Sequence, residues 1–261
     1  MSAPITSIMV CTFNRLELTK RMMDSLFAHT DLPFRLLVVD NGSTDGTVEW
    51  LQEFSHQSER CQGVETHFYP RNMGIAIGRN KGLLMSGKYN DPWLSTVDND
   101  VEFPEKWLSK CLEITKTNHK FAIGINFEGV QYPIQLINGK PVQFKSAGNL
   151  GTACTVFHRK LHQAIGFFTT DYGTLYGTED ANFFFRARKA GWQMGYLPEN
   201  GVHFGINEHD TGEYRAFKDA CHQENLSKFQ KDCYAYMSGK KNIYHAFTEP
   251  STSIAPANIK A

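Results

Sequence analysis

Asp98-Asn99-Asp100 holds the densest chemistry in the chain: two carboxylates flank one residue where the apolar run Trp93-Leu94-Ser95-Thr96-Val97 stops. Such a run reads as a buried strand, and the acidic pair then sits at its carboxyl end, the edge at which open α/β sheets bind ligands. Carboxylates this close repel each other unless a cation, Mg²⁺ or Mn²⁺ with oxygen ligands, lies between them and an anionic substrate. The same residues would also serve as a polar turn. Arg79 lies in a glycine-bearing segment, Gly74 to Gly82. Glycines allow close backbone approach and an arginine neutralises phosphate, but the segment lacks the Gly-Lys-Ser/Thr ending of a Walker loop and reads equally as a helix with Arg79 on its solvated side. Glu179-Asp180 opens a helical pattern. Acids favour a helix amino terminus for purely structural reasons, yet adjacent carboxylates also push their titrations apart, and a general base needs only hydrogen-bond reach of a hydroxyl.

The elements that must position these groups alternate. Strands are expected over Ile5–Phe13, Phe34–Val39, Val64–Tyr69 and Trp93–Val97, with helices over Leu16–Ala28, from Ser43-Thr44-Asp45 through Phe54, over Ile75–Ser86, and from Pro104 through Ile114. This rhythm predicts a mainly parallel sheet with right-handed crossovers. After Phe121–Phe127 the pattern changes to hairpins and loops over residues 128–158, with Asn138-Gly139 as a hairpin turn. A helix over Glu179–Ala190, a short strand over Gln193–Leu197, one or two helices over residues 213–237 and a frayed tail complete the chain.

The 261 residues suffice for one large α/β domain with a small appendage. Lys+Arg and Asp+Glu both number 27, so no global field favours nucleic acid or an anionic membrane. Six scattered cysteines without zinc spacing read as reduced thiols of a cytosolic protein. No secretion signal and no run of eighteen apolar residues is visible, so a cytoplasmic protein, free or held at a membrane face, is expected.

Thr12-Phe13-Asn14-Arg15, Val38-Val39-Asp40-Asn41-Gly42-Ser43-Thr44-Asp45-Gly46, Asn72-Met73-Gly74 with Gly78-Arg79-Asn80-Lys81-Gly82, Asp98-Asn99-Asp100, and Glu179-Asp180 with Arg186 and Gly191 follow one another in register. In that order they resemble family 2 glycosyltransferases of the GT-A fold, and the likeness covers residues 5–205. The resemblance implies a Rossmann-like, mainly parallel sheet flanked by helices, with a smaller antiparallel acceptor-side part. Residues 1–205 would form the glycosyltransferase domain, about 1–100 its nucleotide half and 101–205 its acceptor half, and 206–261 a helical extension and tail.

The resemblance also implies roles. Asp40 would accept hydrogen bonds from a nucleobase edge, with Thr12, Phe13, Arg15, Arg79, Asp98 and Asn99 around the donor nucleotide; Asp40 would otherwise only shape its turn. Asp98 would reach the ribose or a metal-bound water, and Asp100 would ligate Mn²⁺ or Mg²⁺ at the diphosphate. His203 would be a third ligand, with His209 its competitor. Asp180 would be the general base and Glu179 an acceptor-orienting neighbour. Residues 144–155 and the loop 171–178, with Tyr172 and Tyr176, should wall the acceptor cleft. The implied activity is inverting transfer of a sugar from a nucleoside diphosphate sugar, UDP-sugars first, to a hydroxyl of a glycan, a lipid-linked glycan, a small molecule or a modified nucleobase. A nucleotidyltransferase would want a glycine-rich, basic signature near the amino terminus, which Thr12–Arg15 lacks. An inactive nucleotide-sugar or glycan-binding protein is the remaining alternative, against which stand the intact Asp98, Asp100 and Asp180.

Overall fold

The computed structural model describes residues 3–55, 58–116, 118–127, 129–144, 150–173, 175–204 and 212–251. Four parallel strands, β1 (Thr6–Thr12), β2 (Phe34–Asp40), β3 (Cys61–Phe68) and β4 (Trp93–Asp98), alternate with helices α1 (Leu16–His29), α2 (Thr47–Glu53) and α3 (Ile75–Ser86). Then come β5 (Val101–Glu102), α4 (Trp107–Thr115), β6 (Phe121–Asn126), the hairpin β7 (Ile134–Ile137) and β8 (Lys140–Gln143), β9 (Cys154–His158) and α5 (Lys160–Ile165). The chain continues through α6 (Glu179–Lys189), β10 (Gln193–Asn200), β11 (Val202–His203) and α7 (Gly212–Met237).

The large sheet runs β3-β2-β1-β4-β9-β6-β10-β8-β7, and β5 with β11 makes a small antiparallel pair. Strand side chains alternate between two faces, and each face has its own core. Ile8, Val10, Leu36 and Val38 pack with Met22, Leu26, Trp107 and Leu112 on one side. Met9, Leu37 and Val39 pack with Leu83, Phe157, Phe183 and Phe184 on the other. The result is helix, sheet, helix in three layers. Asn138 and Gly139 both take positive φ, 51° and 76°, as a two-residue hairpin turn requires.

Boundaries depart from expectation in three places. Helix α4 opens at Trp107, not Pro104, because Lys106 before it takes a left-handed conformation. Strand β3 begins at Cys61, three residues before Val64, and β10 runs three residues past Leu197, while the one or two helices expected over 213–237 are one, Gly212–Met237. The tail expected to fray lies almost wholly outside the described residues, but its near end is held: Glu249 accepts hydrogen bonds from Tyr69 (2.7 Å) and Lys81 (2.9 Å).

Register decides where the chemistry goes. Thr12 pairs with Asp40 and Cys11 with Asp98, so β1, β2 and β4 end at one edge and their loops lie side by side. Asp45 joins two of those loops by accepting from the Arg15 and Leu16 amides (2.6 and 2.9 Å) and from Thr47. Helix α3 lies close on β1: a Cβ on Gly78 would come within 2.3 Å of Cys11 Sγ. Gly78 and Gly82, the latter against Met9, therefore serve helix-to-sheet contact, whereas Gly74 takes a positive φ beside Leu175.

Candidate active site

The end of β4 and the β5–β11 pair build the first cluster. His203 pairs in register with Val101, which brings its ring beside Asp100, and the Phe204 amide donates to the Asp100 carbonyl at 3.1 Å. One ligand atom each of Asp98, Asp100 and His203 lies within 4.8 Å of the others. His203 Nε2 is 3.7 Å from Asp100 Oδ1, and its buried Nδ1 has no hydrogen-bond partner among the described residues. Two carboxylates and an uncommitted imidazole suit a hard divalent cation that tolerates nitrogen, Mn²⁺ more than Mg²⁺. Asn99 fixes the turn between the acids. Its amide donates to Thr12 Oγ1 and Thr19 Oγ1, both at 3.0 Å, so the side chain between the acids points into α1. Arg15 Nη1 donates to Asp100 Oδ2 at 2.6 Å. Burial pushes the Asp100 carboxyl up, and His203 and Arg15 pull it back toward ionisation.

The second cluster sits on the first turn of α6. Glu179 is 6% exposed, and its Oε1 accepts from Arg79 Nη1, while Arg79 Nη2 donates to Asp98 Oδ1 at 2.8 Å. A single guanidinium thus separates the two acidic pairs. Arg79 is 9% exposed and points into the cleft, not to solvent. Burial raises the Glu179 carboxyl from 4.5 to about 7 despite Arg79, and burial likewise raises Asp180. Helix α6 is held from behind. Arg186, fully buried, donates to the carbonyls of Ile165, Ile243 and Phe167 and to Asn182 Oδ1. Asn182 in turn donates to Tyr172 Oη (2.8 Å) and Tyr236 Oη (3.2 Å).

Both clusters open on one cleft of about 1740 Å³. That exceeds the roughly 300–1,000 Å³ of a small-molecule site, so two ligands fit at once. Thr12, Phe13, Arg15, Arg79, Asp98, Asn99, Asp100, Glu179, Asp180 and His203 all line it. Of the site residues named from the sequence, Asp40 alone does not. Fully buried, it spends its oxygens on its own turn, accepting from the Gly42 and Ser43 amides (3.0 and 2.9 Å) and from Ser43 Oγ (2.6 Å). From the expected acceptor walls, Gly151 to Ala153 and Leu175 to Thr178 line the cleft, whereas Tyr172 is turned behind α6. Residues 145–149 and His209 lie outside the described residues.

The profile described as "Glycosyl transferase family 2" matches residues 7–170, from β1 to beyond α5. The chain belongs to glycosyl transferase family 2. It is similar to the glycosyltransferase GlyA of Streptococcus pneumoniae, 24% identical over 252 residues, which cover 93% of this chain and 32% of that protein. The matches to curated relatives cover between 15% and 45% of those proteins' length. Among solved structures it is similar to the mannosyltransferase PcManGT of Pyrobaculum calidifontis in complex with GDP-Man and Mn²⁺, with a TM-score of 0.58 and 17% identity over 91% of this chain and 77% of that one. It is also similar to S. aureus TarS 1-349 in complex with UDP, with a TM-score of 0.58 and 18% identity over 77% and 59% of the two chains. These likenesses show a GT-A fold.

Within this family 2 fold, two parts of the cleft wall were not found from the sequence. Asn41 lines the cleft where Asp40 does not; its Nδ2 donates to Asn72 Oδ1 at 2.9 Å and its Oδ1 accepts from the Met73 amide at 3.0 Å. Strand alternation was the available signal, since the neighbour of a buried strand-end residue faces the other way. Helix α7 supplies Tyr214, Phe217, Lys218 and His222. The Lys218 ammonium sits 4.5 Å from the Tyr176 ring centroid, and Arg15 lies 5.5 Å from that of Tyr214. Only three α7 residues with described burial are buried (Cys221, Asn225 and Tyr236), so no apolar stripe announced which side faces the cleft.

Proposed function

We propose that this chain is a metal-dependent, inverting glycosyltransferase that moves one sugar from a nucleoside diphosphate sugar to a hydroxyl acceptor. The observation that carries the reading is the sharing of one cleft by a cation-ready cluster, Asp98, Asp100 and His203, and a desolvated acidic pair, Glu179 and Asp180, one guanidinium away. Asn41 and Asn72, which line the cleft and hydrogen-bond each other, are the proposed nucleotide contacts, and Thr12, hydrogen-bonded to Asn99, lines the cleft beside them. Mn²⁺ or Mg²⁺, when bound by Asp98, Asp100 and His203, offsets the negative charge that the departing diphosphate gains.

Asp180 is the proposed base. Its Oδ1 is occupied by the Ala181 amide at 2.6 Å, and burial raises its affinity for a proton. The acceptor oxygen bonds to the anomeric carbon, its proton passes to Asp180, and the bond to the diphosphate breaks with the electron pair leaving on oxygen. Direct displacement from the opposite side inverts the anomeric centre. Glu179 is paired with Arg79 and orients the acceptor side. UDP-sugars are the first donors to test, with GDP- and dTDP-sugars next; the acceptor is a glycan, a lipid-linked glycan, a small molecule or a modified nucleobase. No helix among the described residues is long and apolar enough to cross a membrane. A thermal-shift screen of nucleoside diphosphate sugars with and without Mn²⁺ tests the reading, because a ligand that binds the native state raises the unfolding temperature. A metal-dependent rise with one nucleotide class is expected, and no rise with any of them would remove the proposal.

A further inference from the structure

We propose that Arg79 is a positioning residue, the brace that fixes the base-bearing start of α6 against the cation-bearing end of β4. The inference rests on the functional reading above but assigns Arg79 a different task from donor binding. Each terminal nitrogen of its guanidinium is given to a protein carboxylate: Nη2 to Asp98 and Nη1 to Glu179. A diphosphate oxygen seeking the same fork would have to displace one of them. Arginine suits this task because its planar fork holds two acids at a fixed angle, which a lysine ammonium cannot.

Three further observations give the brace its consequence. Helix α6 begins after Thr178, which has a left-handed φ of 64° and makes no capping hydrogen bond with its side chain, so the N-cap residue itself does not anchor the start of the helix. The second Glu179 oxygen is buried with no hydrogen-bond partner among the described residues, which leaves Arg79 as the group that holds this carboxylate. Helix α3, on which Arg79 rides, is itself set close on β1 through Gly78 against Cys11. Asp98, Arg79 and Glu179 therefore form one continuous link across the cleft, through which a single side chain ties the start of α6 to the end of β4, while Arg186 holds the helix from behind. Asn225 holds the preceding loop by donating to the Gly177 carbonyl at 2.8 Å, but it lies on the α7 side and does not reach β4.

The test uses Arg79→Lys, which keeps the charge, together with Arg79→Gln, Glu179→Gln and the double variant Arg79→Gln/Glu179→Gln, which leaves no unpaired Glu179 charge behind. Hydrogen exchange reads the brace without any substrate: amides of the first turns of α6 should exchange faster in Arg79→Lys than in the wild type. With donor and acceptor in hand, kcat should fall about 10- to 100-fold, the scale of a misplacement of about 1 Å, while UDP affinity measured without metal stays unchanged; Mn²⁺-dependent affinity falls as well, because Arg79 is an outer partner of the ligand Asp98. The two Gln substitutions should be non-additive, the double variant being no worse than the worse single one. Unchanged α6 exchange, or a loss of metal-free UDP affinity in Arg79→Lys with additive Gln effects, would overturn the brace and make Arg79 a donor contact. A wild-type protein that binds no nucleotide with Mn²⁺ would instead count against the glycosyltransferase reading, and the exchange experiment would still decide on the brace.

Discussion

The two acidic pairs that face the cleft differ in the positive groups set around them. Asp98 and Asp100 end a strand among cations: Arg79 on one, Arg15 and the His203 ring beside the other. Glu179 and Asp180 begin a helix among desolvating walls, and burial outweighs the pull of Arg79, so both are raised. A carboxylate that ligates a cation must be ionised; burial raises Asp100 too, and His203, Arg15 and Lys218 work against that rise. A carboxylate that takes a proton gains from surroundings that make protonation easier. The same residue type is thus set to two tasks by its surroundings, and each of the following experiments presses on one side of that division.

The largest effect is expected at the base. Asp180→Asn keeps size and the contact with the Ala181 amide but accepts no proton, so transfer to a true acceptor should fall about 10²- to 10⁴-fold while donor and metal still bind. Rates with saturating donor, beside calorimetric UDP affinity, check this. Near wild-type transfer would move the role of base to Glu179 and erase the contrast.

On the cation side, Asp100→Asn should weaken Mn²⁺-dependent UDP binding by more than about tenfold, since even the loss of an outer partner of a ligand has effects of that scale. Unchanged affinity in a calorimetric titration would remove the cation site. His203→Ala should lower Mn²⁺ affinity more than His209→Ala does, because β11 seats His203 3.7 Å from Asp100. The reverse ranking would mean that the wrong imidazole has been named.

A smaller change is expected from α7. Lys218 is among the charges that pull Asp100 toward ionisation, and it lies over Tyr176 at the cleft wall. Lys218→Gln should weaken UDP binding by about two- to fivefold, the scale of one partly exposed charge contact, with the loss shrinking at high salt. No change at low salt would leave α7 outside the donor site.

Legibility followed locality. The β1–β4 half could be read because each strand and helix is a short segment with its own apolar period, and Asp98-Asn99-Asp100 falls at a strand end by counting alone. Ligand identity within that motif was less visible. Asn99 looks like a donor contact in sequence, but its amide is committed to Thr12 and Thr19, a contact that exists only once α1 lies against β4. Asp40 failed for a related reason: an Asp before Asn-Gly-Ser satisfies itself within its own turn, and local hydrogen bonding removed it from the cleft. Arg186 is part of the same lesson. It stood out beside Glu179-Asp180, and its role is to close three backbone carbonyls from segments far apart in the chain.

The finest test is of pH, and it concerns stability alone. Burial lifts Glu179 from 4.5 in the ordinary chain to about 7 when folded, so between those values the folded protein holds a proton that the unfolded one has lost. Stability must then fall as pH rises through that window, because the state that binds more protons is favoured at low pH. Asp180 and Asp100 are raised as well and add slopes of the same sign. Glu179→Gln removes one of these contributions. The unfolding temperature of the variant relative to wild type should therefore climb from about pH 4.5 to about pH 7 and level off above it, measured without metal at constant ionic strength. The absolute difference also contains the lost contact with Arg79, so the test is the change across the window and not the difference at any one pH. A difference that stays flat across the window would mean that Arg79 keeps Glu179 ionised throughout. Glu179 would then be held ionised by Arg79, and the contrast between strand end and helix start would rest on Asp180 alone.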